Sequence, residues 1–283
     1  MMYETIIYEK KGRITTITLN RPERMNAILP FVTPKELEAA VREANADPDV
    51  HVIILKGAGR SFCAGFDMES VADQPGLATN EPWDPYRDLM WTTSTCASWM
   101  SMWRGSKPVI AQVHGWCVGG GTDMALCCDI IIAAEDAHFG YPPARVWGSP
   151  TSFMWVYRLG ASWAKYLMLT GDAVDGKTAE RIGLILRAVP ANRLEDEVQS
   201  LAQRMAQIPL SQLVTMKLII NQAYDNMGLV STQLLGCMAD GAMRHTAEGL
   251  AFTKSLIEKG MAATITERDA PHHDYSQRPK RKS

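Results

Sequence analysis

Two stretches of this chain carry groups that could do chemistry together. One runs Ser61-Phe62-Cys63-Ala64-Gly65-Phe66-Asp67-Met68, behind a glycine-rich turn at Gly57-Ala58-Gly59. The other runs from His114-Gly115 through Gly119-Gly120-Gly121 to Asp123 and Cys127-Cys128-Asp129. Glycine lets a backbone come close to a ligand. A helix N-terminus presents unpaired N–H groups and the positive end of its dipole. Such N–H groups can hold the negative charge that grows on a carbonyl oxygen, and one donor is typically worth about 3–4 kcal/mol in the transition state. The same glycines would equally suit a bound phosphate or close packing alone. They do not form the G-x-x-x-x-G-K-[ST] of a P-loop or the G-x-G-x-x-G of a dinucleotide fold.

The elements that must hold these stretches alternate between strand and helix. Thr5–Glu9 and Ile14–Leu19 are β-branched runs around Lys11-Gly12, so they predict a hairpin. Thr33-Pro34 opens a helix, with Leu37, Ala40, Val41 and Ala44 at helical spacing. Val50–Leu55 is an apolar run that fits a buried strand. Val109–Val113 and Ile130–Ala133 are two more, with helices expected near 86–104 and 120–128. This alternation predicts an α/β layered fold. From about Ala161 strand signals fade apart from Ala188-Val189, and helices follow near 161–169, 175–182, 193–207, 211–225, 229–244 and 246–258. The chain therefore divides into a core domain over 1–200, a helical region over 201–260 and a polar tail over 261–283 expected to be flexible.

Composition narrows the function classes. A net charge of −2 gives no field for nucleic acid, and the basic residues near Arg278–Lys282 read as a solvated tail. No apolar run reaches the roughly 18–20 residues of a membrane-spanning helix. The N-terminus carries acids and alternates like a strand, unlike a secretory signal. The six cysteines form no C-x-x-C pair and no zinc pattern, so no metal is expected. They are expected to be reduced and buried, in a cytoplasmic protein.

The order and spacing of several pieces resemble the crotonase (enoyl-CoA hydratase/isomerase) superfamily. The pieces are Leu19–Glu23 with Asn26-Ala27; Ser61–Asp67; Lys107–Gly115; Gly119–Gly121 with Cys128-Asp129-Ile130; Phe139-Gly140; and Leu169-Thr170-Gly171. The resemblance spans Tyr3 to about Gly260. It implies a spiral of β-β-α turns with a C-terminal helical trimerisation region, assembled as a homotrimer or a dimer of trimers. It implies an acyl-CoA thioester substrate, coenzyme A being part of that substrate, no separate cofactor, and a place in fatty acid metabolism. The oxyanion hole would be the N–H groups of Ala64 and Gly120. Arg24, Asn26, Ala27, Gly65, Phe66, Asp67, Met68 and Gly119 would line the coenzyme A and thioester groove, with Arg24 suited to a phosphate. Asp67 is expected to order the loop. Tyr141, Trp147, Phe153 and Trp155 would close the acyl side, and Arg145 would lie with them among the substrate-binding residues.

The match breaks at the carboxylates. Hydratases of the family use two glutamates. The first position holds Asp123, one methylene shorter, which could still move a proton at hydrogen-bond distance. The second holds Pro143, within Phe139-Gly140-Tyr141-Pro142-Pro143-Ala144-Arg145. Arg145 would then orient Asp123, bind an acidic acyl group or pair with a neighbouring element. Trp83, Tyr86, Met90, Trp91, Trp99, Met100, Met102 and Trp103 suit either an acyl wall or the core. The expected activity is hydration or dehydration of an enoyl-CoA. Isomerisation, carbon–carbon cleavage, thioester hydrolysis and acyl-CoA binding without catalysis are the alternatives.

Overall fold

The computed structural model describes residues 3–72 and 83–272. The hairpin forms as its β-branched runs require: β1 (Ile6–Lys11) pairs antiparallel with β2 (Ile14–Leu19) across Gly12-Arg13, and Gly12 takes φ +59°. Helix α1 (Thr33–Ala46) follows and buries Leu37, Ala40, Val41 and Ala44, the stripe its spacing predicts. Strand β3 (Val52–Gly57) lies parallel to β2, with Ile17 opposite Leu55.

Next come a short helix α2 (Met68–Ala72) and the long helix α3 (Pro85–Arg104). Asp84 caps α3 by accepting from the Tyr86 and Arg87 N–H groups, and Pro85 sits where no N–H is needed. Replacing Asp84 by Ala is expected to cost about 1 kcal/mol. Urea melts of the two proteins would read this, and equal midpoints would show that the cap does not hold the helix.

The chain then folds β4 (Val109–Val113), β5 (Trp116–Val118), α4 (Gly120–Leu126), β6 (Ile130–Ala134) and β7 (His138–Gly140). Helix α5 (Met154–Thr170) breaks at Gly160, and β8 (Ala173–Asp175), α6 (Gly176–Arg181) and β9 (Arg187–Val189) complete the sheets. One sheet has six strands in the order β1-β2-β3-β4-β6-β9, and a second has three in the order β5-β7-β8. From β4 to β7 successive strands alternate between the two sheets, so the chain turns sharply after β4 and β6. Strands β5, β7 and β8 are three residues each, too short for alternation to reveal them.

Helix α7 (Leu194–Met205) buries Leu194, Val198 and Ala202. Its Glu195 accepts a hydrogen bond from Gln112 of β4 (2.8 Å). A core boundary at residue 200 therefore falls inside α7, and the core ends beyond Met205. Helices α8 (Leu210–Asn226), α9 (Leu229–Arg244), α10 (Ala247–Lys259) and α11 (Met261–Asp269) follow. The expected flexible tail is corrected over 261–269. This stretch is helical, and Asp269 pairs with the buried Arg145 guanidinium (3.0 Å). The tail beyond His272 lies outside the described residues. All six cysteines are free and buried, and burial pushes the Cys63 thiol up to about 12.

Candidate active site

The two glycine-bearing stretches run side by side. Cys63 pairs in parallel with Cys117: Cys63 N–H donates to Trp116 O (2.9 Å) and Val118 N–H to Cys63 O (3.1 Å). Continued in register, this ladder would bring Gly120 N–H to Gly65 O. It stops because Gly65 adopts φ +93° and turns its carbonyl to Ile28 N–H (2.8 Å). Gly120 is the first residue of α4, so its N–H has no intrahelical acceptor either. The preceding Gly119 takes φ +56° and ψ −128°, a conformation a side chain would strain. Gly121 lets α4 approach closely: a Cβ there would lie 2.6 Å from Cys63 O.

The partner N–H is not the expected one. Ala64 N–H donates to Met25 O (3.0 Å), so it is already engaged. Phe66 instead forms a parallel bridge with Ile28, using Gly65 O and Asp67 N–H (2.9 Å to Ile28 O). In such a bridge the bridging residue's own N–H faces away from its partner. Phe66 N–H, like that of Gly120, thus meets no backbone acceptor among the described residues. The shift from Ala64 to Phe66 depends on the left-handed backbone of Met25 (φ +51°), which no local sequence pattern announced.

These groups border a cavity of about 480 Å³ whose lining includes Met25, Ala64, Gly65, Phe66, Met68, Gly119, Gly120 and Asp123. Tyr141, Arg145 and Trp147 also line it. Asp123 sits one turn into α4 and is 2% exposed. Its Oδ1 accepts from Ser152 Oγ (2.6 Å) and Ser152 N–H (3.2 Å), and Oδ2 from Thr151 N–H (3.3 Å). Burial outweighs these bonds and pushes its pKa up to about 7, with a smaller push from Asp240. A carboxyl so poised can take and return a proton near neutral pH.

Five other residues expected at the site hold or flank the scaffold. Asn26 is buried and clasps the loop, accepting from Arg21 N–H (2.9 Å) and donating to Ala58 O and Ser61 O (2.8 Å each). Ala27 is buried and gives its carbonyl to Arg21. Asp67 pairs with Arg21 (2.9 Å), ordering the loop as expected. Arg145 does not reach Asp123: it pairs with Asp172 (3.2 Å) and Asp269 (3.0 Å) and donates to Thr170 O (3.1 Å). Arg24 is half-exposed and pairs with Glu69 (3.1 Å).

The aromatic helix α3 serves both uses open to it. Trp99, Met100, Met102 and Trp103 are core, whereas Trp91, with Thr92 and Thr95, faces the cavity. Pro143 stands against Gly119, where a Cβ would meet its Cγ at 3.7 Å, and supplies no acid. The cavity nevertheless holds a second carboxylate, Asp240 of α9. It accepts from Ser149 N–H (2.9 Å) and pairs with Arg244 Nε (2.9 Å), and Arg244 also pairs with Asp88. The Asp240/Arg244 spacing is visible in sequence as an acid–base pair four apart on a helix, but that pattern usually marks a solvated face. Among the described residues no group of three or more metal-ligating side chains forms, and no helix is long and apolar enough to cross a membrane.

Known proteins share this fold. The family model described as enoyl-CoA hydratase/isomerase matches residues 9–261. A crystal structure of an enoyl-CoA hydratase from Mycobacterium smegmatis superposes with a TM-score of 0.89 at 41% identity, covering 95% of this chain and 94% of that one. A relative named probable enoyl-CoA hydratase, from Mycobacterium bovis, is 33% identical over 95% of this chain and 97% of its own length. One named crotonyl-CoA hydratase, from Syntrophomonas wolfei, is 33% identical over 95% and 98%. Fold and likeness together define an α/β enzyme of the hydratase-like kind, built on the crotonase fold. The chain belongs to the enoyl-CoA hydratase/isomerase family.

Proposed function

We propose that this enzyme binds an α,β-unsaturated acyl-CoA thioester and adds water across its C2–C3 double bond, the reverse dehydration sharing the same enolate. One observation carries the reading above the others. A buried carboxyl with a pKa of about 7 shares a cavity with two uncommitted backbone N–H groups. The thioester oxygen accepts from Gly120 N–H and Phe66 N–H. The Asp123 carboxylate takes a proton from water as the water oxygen bonds C3. The C2–C3 electron pair moves to the thioester oxygen, where the two donors hold the charge. The enolate then collapses and C2 takes the proton back from Asp123. All atoms of the water end in the product and Asp123 is regenerated.

Pro143 favours a second reading, double-bond isomerisation, in which Asp123 carries a proton from one carbon to another and no water enters. Mass spectrometry of products from a panel of enoyl-CoA thioesters separates the two. A product heavier by one water supports hydration. A product of unchanged mass with a moved double bond supports isomerisation. Tight binding with no product would leave a non-catalytic acyl-CoA-binding protein.

Arg24, next in sequence to the cavity-lining Met25, suits the nucleotide end of coenzyme A, whose phosphates favour a guanidinium. Replacing Arg24 by Ala is expected to raise KM about fivefold with little change in kcat, as loss of uniform binding does. An unchanged KM would remove Arg24 from the coenzyme A groove. The helical C-terminal region supports assembly as a trimer or dimer of trimers, since Leu218, Ile219, Ile220 and Leu235 are more than half exposed in the single chain. Light scattering tests this, and a monomer would overturn it. Six free buried cysteines fit a reducing, cytoplasmic setting.

A further inference from the structure

Resting on the thioester reading above, we infer that the acyl group this cavity accepts carries a neutral oxygen acceptor, a ketone or hydroxyl, beyond the reacting carbons. The signal is a set of polar groups left without partners beyond Asp123. Arg244 lines the cavity and is 6% exposed, yet only two of its three nitrogens are paired: Nε with Asp240 and Nη2 with Asp88. Its Nη1 is buried with no acceptor among the described residues, and the Thr151 hydroxyl, also at the cavity wall, is likewise buried and unmet. Leaving a charged donor buried and unmet is costly, and such groups in a cavity wall mark a missing partner.

The order of contacts places this polar end. Gly120 N–H marks the thioester carbonyl, and Asp123, three residues on, marks the reacting carbons. Thr151 N–H touches Asp123, Ser149 N–H touches Asp240, and Asp240 holds Arg244. Arg244 is therefore linked, through Asp240 and the 149–151 loop, to the wall around Asp123. Its guanidinium also lies 5.2 Å from the Trp91 ring centre, which sets it against an apolar wall.

Charge selects among acceptors. Arg244 is already flanked by Asp88 and Asp240, so the cluster carries an excess of negative charge before Asp123 or a ligand is counted. His245 lies 3.8 Å from Asp88, and Trp83 donates to Asp88 (2.9 Å). An acyl carboxylate would add like charge beside two carboxylates. A neutral oxygen accepts the unused N–H without that repulsion.

The test uses calorimetric titration of the intact protein with saturated thioesters, which undergo no hydration: hexanoyl-CoA, its 4-oxo and 5-oxo analogues, and adipoyl-CoA. At least one oxo thioester is expected to bind about tenfold tighter than hexanoyl-CoA, in line with a buried donor gaining its acceptor. Adipoyl-CoA is expected to bind no tighter than hexanoyl-CoA. Replacing Arg244 by Lys keeps a charge between Asp88 and Asp240 but removes the third N–H direction, and should bring the oxo-to-hexanoyl ratio close to one. Equal or tighter binding of hexanoyl-CoA by the unaltered protein would overturn this inference while leaving the thioester reading intact, as would preference for adipoyl-CoA. Failure of all four to bind would overturn both.

Discussion

Replacing Asp123 by Asn is expected to lower kcat about 1000-fold while leaving thioester affinity within a few-fold of its original value, the loss typical of a removed acid–base group. The Asn amide keeps an oxygen for Ser152, whose hydroxyl donates at 2.6 Å, so the loop over α4 should stay in place. The poorest of the three bonds, from Thr151 N–H at 3.3 Å, is the one an amide NH2 would oppose. Two pH measurements accompany this substitution. Asp123 must be ionised to accept a proton from water, so kcat/KM of the unaltered enzyme should fall on the acid side of about pH 7. Stability should run the other way. The folded state raises this pKa from 3.8 to about 7, so between those values it holds a proton the unfolded chain has released. Folding is then favoured at the acid end and loses stability as pH rises from about 4 to 7, by about 1.4 kcal/mol for each pH step of one. The Asn variant lacks this dependence. Its melting temperature, relative to that of the unaltered protein, should be higher at pH 8 than at pH 5. Unchanged turnover would remove Asp123 from the chemistry, and a constant melting difference would show that its carboxyl titrates normally.

Replacing Gly65 by Ala tests the other half of the site. Gly65 sits at φ +93°, where a Cβ adds strain, and that Cβ would lie 3.2 Å from Val118 O and 3.7 Å from Gly120 N. The methyl would crowd the space a thioester oxygen needs between the Gly120 and Phe66 donors. Relaxing the strain would turn the Gly65 carbonyl away from Ile28 and towards the ladder position facing Gly120, closing the hole. Turnover is expected to fall about 100-fold or more, the scale of losing one oxyanion donor. The stability loss should be about 1–2 kcal/mol, the scale of a side chain held at left-handed φ. Initial rates and a denaturant melt on one preparation separate the effects. A melt shifted by this amount with kcat unchanged would mean that the carbonyl does not bind between these donors.

Local pattern decided much of this molecule. The β-branched runs set the hairpin. The stripe Leu37, Ala40, Val41 and Ala44 set the buried face of α1, and the glycine triplet set the start of α4. These features obey periods of two or 3.6 residues, or the steric freedom of glycine, all of which act within a few residues. The order of motifs, from Leu19-Asn20-Arg21-Pro22 to Gly119-Gly120-Gly121, was enough to identify the family and to single out Asp123, which the fold places in the cavity wall.

Tertiary structure decided which of two neighbouring N–H groups is free. Ala64 is tied to Met25 and Phe66 is not, because the chain around Met25 and Asn26 turns left-handed and brings Ile28 against Gly65. It also sent Arg145 to Asp172 and Asp269 and turned 261–269 into a helix against the site. Finally, it brought Asp240 and Arg244 into a cavity opened more than 100 residues earlier in the chain. Such contacts join positions far apart in sequence, where no periodicity links them. Burial rather than residue type raises the Asp123 pKa, and burial exists only once α4, α5 and α9 have packed around the same loop.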